Sequence, residues 1–141
     1  MSVATIFGRP SEKLSRSVFR WSAQSAGLPE VGECVSRHDP RLPTWLRMFN
    51  GDVLVAWSDE GKVVAGVGRK LHNRCGHELA VGTEQAHQGR GLARTLVAQA
   101  ARQVLADGAI PLYFHHPNNV ASAWVADAAG FPDCGWRVAG L

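Results

Sequence analysis

Residues Gln88-Gly89-Arg90-Gly91-Leu92-Ala93 join an apolar strand pattern to a long amphipathic helix pattern, and this junction constrains the fold more than any other segment. It has the form Gln-x-x-Gly-x-(Gly/Ala). Glycines at such a junction let the backbone pass close to another group. The helix that follows aims its unpaired N–H groups and the positive end of its dipole back at the loop. Together these features make an anion site suited to a pyrophosphate. Arg90 and Arg94 lie four apart on the first turn, where they either pair with phosphates or stand as solvated helix charges.

Upstream of the junction, Val53-Leu54-Val55-Ala56-Trp57 reads as a buried strand. Asp59-Glu60-Gly61 is a turn and residues 62–71 are a second strand, so the pair predicts a hairpin. A third strand follows at residues 77–83, where Gly82 predicts a bulge or a close backbone approach. Downstream, Leu92, Leu96, Ala100 and Val104 recur every four residues with Val97, Ala101 and Leu105 beside them. That period predicts a helix from Gly91 to Ala106, closed by Asp107-Gly108. A strand over residues 110–116, a helix opened by Asn118 or Asn119 and closed by Gly130, and a strand within residues 135–140 complete the pattern.

The N-terminal third is less regular. Residues 1–16 read as a loose arm or a short first element, and residues 17–22 alternate as a strand. Residues 27–37 are rich in turn formers. Asp39-Pro40, followed by Leu42, Trp45, Leu46 and Phe49 at helical spacing, predicts a short helix over residues 40–49. Trp21, Trp45, Trp57 and Trp124 each sit in an apolar pattern and are expected in the core. His115-His116 reads as an exposed strand end, or else as part of an acceptor pocket. The order of strands, helix, strand, helix and strand predicts a mixed α/β (α+β) fold, with one domain over residues 1–141.

Charge and composition limit the partners. A formal net charge of +3 suits either nucleic acid or an anionic cofactor. No run of five basic residues exists and the aromatics do not interleave with Lys or Arg, so no nucleic-acid partner is expected. No apolar run approaches ~18 residues, so no membrane partner is expected. Residues 1–14 lack the apolar core of a secretory signal. The three cysteines are odd in number and far apart, which predicts reduced thiols and a cytoplasmic location. His72 and His77 flank a turn without zinc spacing, so no metal site is expected.

Three segments together resemble the GNAT superfamily of acyl-CoA-dependent N-acetyltransferases. Gln88 to Ala93 is similar to the family's pyrophosphate loop. The strand ending at Thr83, five residues before Gln88, resembles the family's central fourth strand. Asn119-Val120-Ala121-Ser122 followed by Ala129-Gly130-Phe131 resembles the segment of its second cofactor helix. The likeness covers residues 53–131 and implies a mixed central sheet with flanking helices, here shortened at its N- and C-terminal periphery.

The resemblance implies acetyl-CoA as co-substrate. Gln88, Gly89, Arg90, Gly91, Leu92, Ala93 and Arg94 would hold its pyrophosphate. Val81, Gly82 and Thr83 would offer main-chain groups to the pantetheine amides where the fourth strand splays from the fifth. Asn119 would contact the cofactor arm, cap its helix, or do both. A family glutamate on the fourth strand acts as general base, and its place falls on His77 or Glu78. Glu78 matches by residue type, and His77 has a pKa suited to neutral pH. Neighbouring strand residues face opposite ways, so only one of them reaches the site.

Two departures accompany the likeness. The family's tyrosine acid, seven residues after the asparagine, is replaced by Ala126, leaving Ser122, water or an unprotonated thiolate. After Phe131 only ten residues remain, enough for about one strand at ~3.3 Å per residue. Either the acceptor site is open or a second chain completes the sheet as a homodimer. The expected function is acetyl transfer to a primary amine of a small molecule or peptide. The alternative is an acyl-CoA-binding sensor without turnover.

Overall fold

The structure, a computed structural model, describes residues 16–24 and 26–139. The arm expected over residues 1–16 lies outside the described residues except for Arg16. Seven strands form one sheet: β1 (Arg16–Trp21), β2 (Glu33–Val35), β3 (Val53–Trp57), β4 (Val63–Leu71), β5 (Gly76–Thr83), β6 (Ile110–His115) and β7 (Arg137–Ala139). Their spatial order is β2-β3-β4-β5-β6-β1-β7. Every pairing is antiparallel except β5 with β6. Helix α1 (Leu92–Ala106) links β5 to β6, and α2 (Val120–Ala129) follows β6.

Both helices cover one face. Leu96, Val97, Ala100, Ala101 and Val104 of α1 bury against Leu54, Val67 and Leu79 of the sheet, as the four-residue period predicts. Gln99 is the exception on that face. It is buried, and its amide accepts from Val31 N and Gly32 N and donates to Gly32 O, which ties the segment before β2 to the helix. Helix α2 begins at Asn119, whose side chain accepts from Ser122 N, and ends at Gly130 in the left-handed conformation.

The other face is covered by residues 42–49. These form a single 3-10 turn at Thr44–Leu46, not the helix expected over residues 40–49. Pro43 explains the difference: it lacks an N–H and disfavours helical geometry at the residue before it. Asp39 caps no helix; its carboxylate accepts from Arg41 N and pairs with the Arg41 guanidinium. The apolar spacing still serves packing. Leu46 and Phe49 lie over Gly66 and Gly68 of β4, where a Cβ would come within 2.6 Å and 2.0 Å of their side chains. The expected bulge at Gly82 is absent: Gly82 pairs in continuous register with Gly66.

The N-terminal strand has the least expected place. β1 lies between β6 and β7, with Val18 opposite His115 and Trp21 opposite Leu112. The position beside β6 is thus filled by the same chain. Arg20 locks β1 in place. It is buried, and its guanidinium donates to His115 Nε2 at 3.0 Å and to Phe131 O at 2.9 Å and pairs with Asp127. His115 is therefore a buried structural residue, not the exposed strand end expected, whereas His116 is exposed. Trp21 and Trp124 are exposed as well, against the expectation that they belong to the core.

Among the described residues, no helix is long and apolar enough to cross a membrane.

Candidate functional site: a fork in the sheet

The parallel pairing of β5 and β6 is short. It runs from Gly76 opposite Ile110, through His77 opposite Pro111, to Glu78 opposite Leu112, and then stops. Beyond this point β5 continues to Thr83 paired only with β4, and β6 continues to His115 paired only with β1. The strands fork, and β5 from Leu79 onward presents a backbone edge without a strand beside it. Such an edge can accept an extended chain carrying amides.

A cleft of about 890 Å³ fills the fork, within the range of small-molecule sites. One wall is Val81, Gly82 and Thr83 of β5; the head is Gln88 to Arg94; the far wall includes Tyr113, Asn119 and Ser122. Every cofactor-binding residue expected from the sequence thus borders one cleft, although they come from β5, the loop, α1 and the start of α2.

The loop has the geometry its glycines predict. Gly89 and Gly91 have φ of 78° and 77°, in the left-handed region that glycine enters without a Cβ clash. Gly91 is the N-cap of α1 and carries no side-chain cap. The helix's hydrogen-bond ladder starts only at Thr95 N, which donates to Gly91 O at 3.3 Å. The Leu92, Ala93 and Arg94 amides ahead of it have no backbone partner among the described residues, and all three residues border the cleft. Gln88 Nε2 donates to Thr83 O at 3.2 Å, which ties the loop to the end of β5. Arg90 and Arg94 add two positive charges at the cleft head. This cradle of free amides, left-handed glycines and guanidinium groups fits a diphosphate.

Gly82 contributes its backbone to the cleft, but its missing Cβ has a different cause from the one expected. On the opposite face the Trp45 ring occupies that space. Asn119 lines the cleft while its Oδ1 caps α2, so both expected roles are compatible.

His77 and Glu78 diverge at the fork, as alternation requires. His77 turns to the helix face and is buried. Its Nδ1 accepts from Arg69 Nε at 3.1 Å and Nη2 at 2.8 Å, and Arg69 Nη2 also donates to Asp107 at 2.7 Å. An arginine only donates, so the ring's proton sits on Nε2. Burial, and then the Arg69 charge, push the His77 pKa below the ordinary imidazole value. Glu78 turns to the opposite face. Its Oε1 accepts from His72 Nε2 at 2.7 Å, and its side chain remains 25% exposed.

Sequence reasoning missed His72, whose link to Glu78 crosses a turn and carries no spacing signal. It also missed Tyr113 as a cleft residue, because a strand tyrosine gives no sign of which helix its hydroxyl meets. His87 borders the cleft too, with a buried Nδ1 that has no partner among the described residues. Ala126, which stands where the resemblance implies a tyrosine, is fully buried between the helices and the sheet.

Residues 16–131 match the Acetyltransferase (GNAT) family. Among solved structures, the fold is similar to a GNAT-family protein from Novosphingobium aromaticivorans, with a TM-score of 0.76 at 17% identity over 93% of this chain and 66% of that one. It is similar to an acetyltransferase of the GNAT family from Colwellia psychrerythraea, with a TM-score of 0.67 at 17% identity over 85% and 53% of the two chains. A GCN5-related N-acetyltransferase-like protein from Streptococcus suis gives a TM-score of 0.62 at 17% identity over 97% and 64%. These likenesses concern the fold, and the chain spans between about half and two thirds of the length of these structures. No curated protein matches the sequence.

Proposed function

The chain belongs to the GNAT acetyltransferase family, and from that premise we propose that it transfers an acetyl group from acetyl-CoA to a primary amine of a small molecule or peptide. The observation that carries the proposal is the fork: a free strand edge runs from the anion cradle back to the point where β5 and β6 part at Glu78, a residue just beyond those that line the cleft. Acetyl-CoA supplies the activated acyl group. The loop amides and Arg90 and Arg94 bind its diphosphate, and the edge of β5 at Val81, Gly82 and Thr83 aligns its amide-bearing arm.

Glu78 serves as the base. The amine must lose a proton to attack a thioester carbonyl, and a carboxylate in reach of it, directly or through one water, accepts that proton. His72, donating from Nε2, orients the Glu78 carboxylate, and the partly exposed carboxyl then releases the proton it has taken to water. His77 has a structural part instead, since its Nδ1 is occupied and its ring lies beneath α1.

A second reading, acyl-CoA binding without turnover, is favoured by Ala126 at the family's acid position. Calorimetry with coenzyme A, followed by a thiol-release assay with acetyl-CoA over an amine panel, separates the two. Binding with release for at least one amine supports the enzyme. Binding without release from any amine supports the sensor, and absence of binding removes both.

A further inference from the structure

On the face away from the helices, four side chains from four strands stand in one row across the sheet. Lys70 of β4 pairs with Glu78 of β5, Glu78 with Leu112 of β6, and Leu112 with Trp21 of β1. Their chain neighbours Arg69, His77, Tyr113 and Arg20 all bind groups on the helix side, so alternation puts the row on the other side. The row reads cation, carboxylate, aliphatic, aromatic, in steps of about 4.8 Å. It crosses the sheet at the last position where β5 and β6 are paired. It is accessible: Lys70 is exposed, the Glu78 side chain is 25% exposed and Trp21 is 40% exposed. Residues 42–49 cover this face further along β4 and β5, over Gly66, Gly68 and Gly82.

We infer that this row binds the acceptor, and that the acceptor is a free α-amino acid with a large aromatic or apolar side chain, an inference that rests on reading Glu78 as the base. The α-ammonium lies against Glu78, whose Oε1 is held by His72 and whose Oε2 has no partner among the described residues. The α-carboxylate pairs with Lys70, which has no ion-pair partner among the described residues and whose long stem takes up differences in reach. The acceptor's side chain lies over Leu112 toward Trp21.

The next row along the strands borders the site with aromatic rings. Phe49 lies over Gly68, and Phe114 and Phe19 pair across β6 and β1 with ring centroids 5.1 Å apart. A ring set against Trp21 and this wall leaves water and gains aromatic contact. The neighbouring charges of Lys70 and Glu78 offset each other, so a plain amine or a plain carboxylic acid gains little, whereas a zwitterion matches both. A polyamine meets Lys70 as a like charge, and an amine without a ring leaves Leu112 and Trp21 uncovered. In the transfer the ammonium gives one proton to Glu78 and its nitrogen bonds the acyl carbon. The carbon–sulfur bond breaks, and its electron pair and the nitrogen's second proton end on the thiol of coenzyme A. The N-acetyl product has lost its positive charge and with it the attraction of Glu78, which favours release.

Initial rates of thiol release over three amines test the inference: phenylalanine, phenethylamine, which lacks the carboxylate, and alanine, which lacks the ring. Phenylalanine should have the highest kcat/KM, with each of the others lower by about tenfold or more, mainly through KM. Lys70→Ala, at an exposed position, should bring phenylalanine down to the level of phenethylamine. Trp21→Phe should keep the preference for phenylalanine over alanine, and Trp21→Ala should lose most of it. Calorimetry of phenylalanine with the full chain loaded with coenzyme A reads binding without turnover, and Lys70→Ala should weaken that binding about tenfold. Phenethylamine or alanine used as well as phenylalanine, a preference that survives Lys70→Ala, or turnover of other amines with no binding of phenylalanine overturns this inference and leaves acetyl transfer standing. Phenylalanine binding without thiol release from any amine keeps the row as an amino-acid site and counts against acetyl transfer. Failure of both coenzyme A and phenylalanine to bind overturns the two together.

Discussion

Trp45 lies against Gly82 so closely that a Cβ on that glycine would come within 2.6 Å of the indole Cζ3. The contact joins the segment before β3 to the wall of the cleft, from the face opposite the helices. It makes glycine at residue 82 a packing requirement as well as a lining position.

Gly82→Val should therefore destabilise the fold by about 1–3 kcal/mol, the usual cost of overpacking. Urea unfolding checks it. Placing the same change in a Trp45→Ala background should recover part of the loss, because residues in contact couple. Equal losses in both backgrounds would contradict the contact.

Gly91→Val should cost about 1–3 kcal/mol of stability, since a β-branched residue is strained at a φ of 77°. It should also weaken coenzyme A binding more than ~tenfold by turning the loop amides away from the diphosphate. Gly108→Val is the control: Gly108 has a φ of 81° just after the far end of α1. It should lose comparable stability and keep its affinity in calorimetry. Unchanged affinity in Gly91→Val would remove the loop from the site.

Glu78→Gln should reduce turnover about 100-fold, most strongly from low to neutral pH where the acceptor amine is protonated. The pH–rate profile is the measurement. A profile unchanged from the parent protein would assign the deprotonation to water.

His77 carries a pH dependence of stability. Its folded pKa lies below its unfolded value because burial and Arg69 disfavour the charged ring. In the window between the two values the unfolded chain binds a proton that the native chain does not. Stability is then fully present above the ordinary imidazole pKa of ~6.5 and is lost as pH falls through the lower folded value. His77→Asn, whose amide oxygen can still accept from Arg69, should show a smaller loss between neutral pH and mildly acidic pH in denaturant melts.

Much of this architecture was legible locally. The period of Leu92, Leu96, Ala100 and Val104, the caps Asn119 and Gly130, and the apolar strand Val53–Trp57 carry their structure in neighbouring residues. Other elements were not. β2 is three residues among turn formers and exists through its pairing with β3. Pro43 overrode an apolar spacing that suits both a helix and a packed turn. Helix α2 is apolar nearly all round, so its sequence gave no sign that Trp124 faces out, 71% exposed.

By itself, the sequence determined the chemistry of the loop. Two glycines and the start of a helix set φ angles and unpaired amides through interactions among a few adjacent residues, and these act wherever the segment sits. Only the tertiary structure decided what the loop faces. Beyond the fork β6 pairs with β1, which comes from the other end of the chain and which Arg20 binds to His115, Asp127 and Phe131. The division of His77 to one face and Glu78 to the other, and the meeting of Tyr113 with Ser122, follow from strand pairing and helix docking. Those contacts gain their free energy only once distant segments are packed together, so no local pattern could encode them visibly.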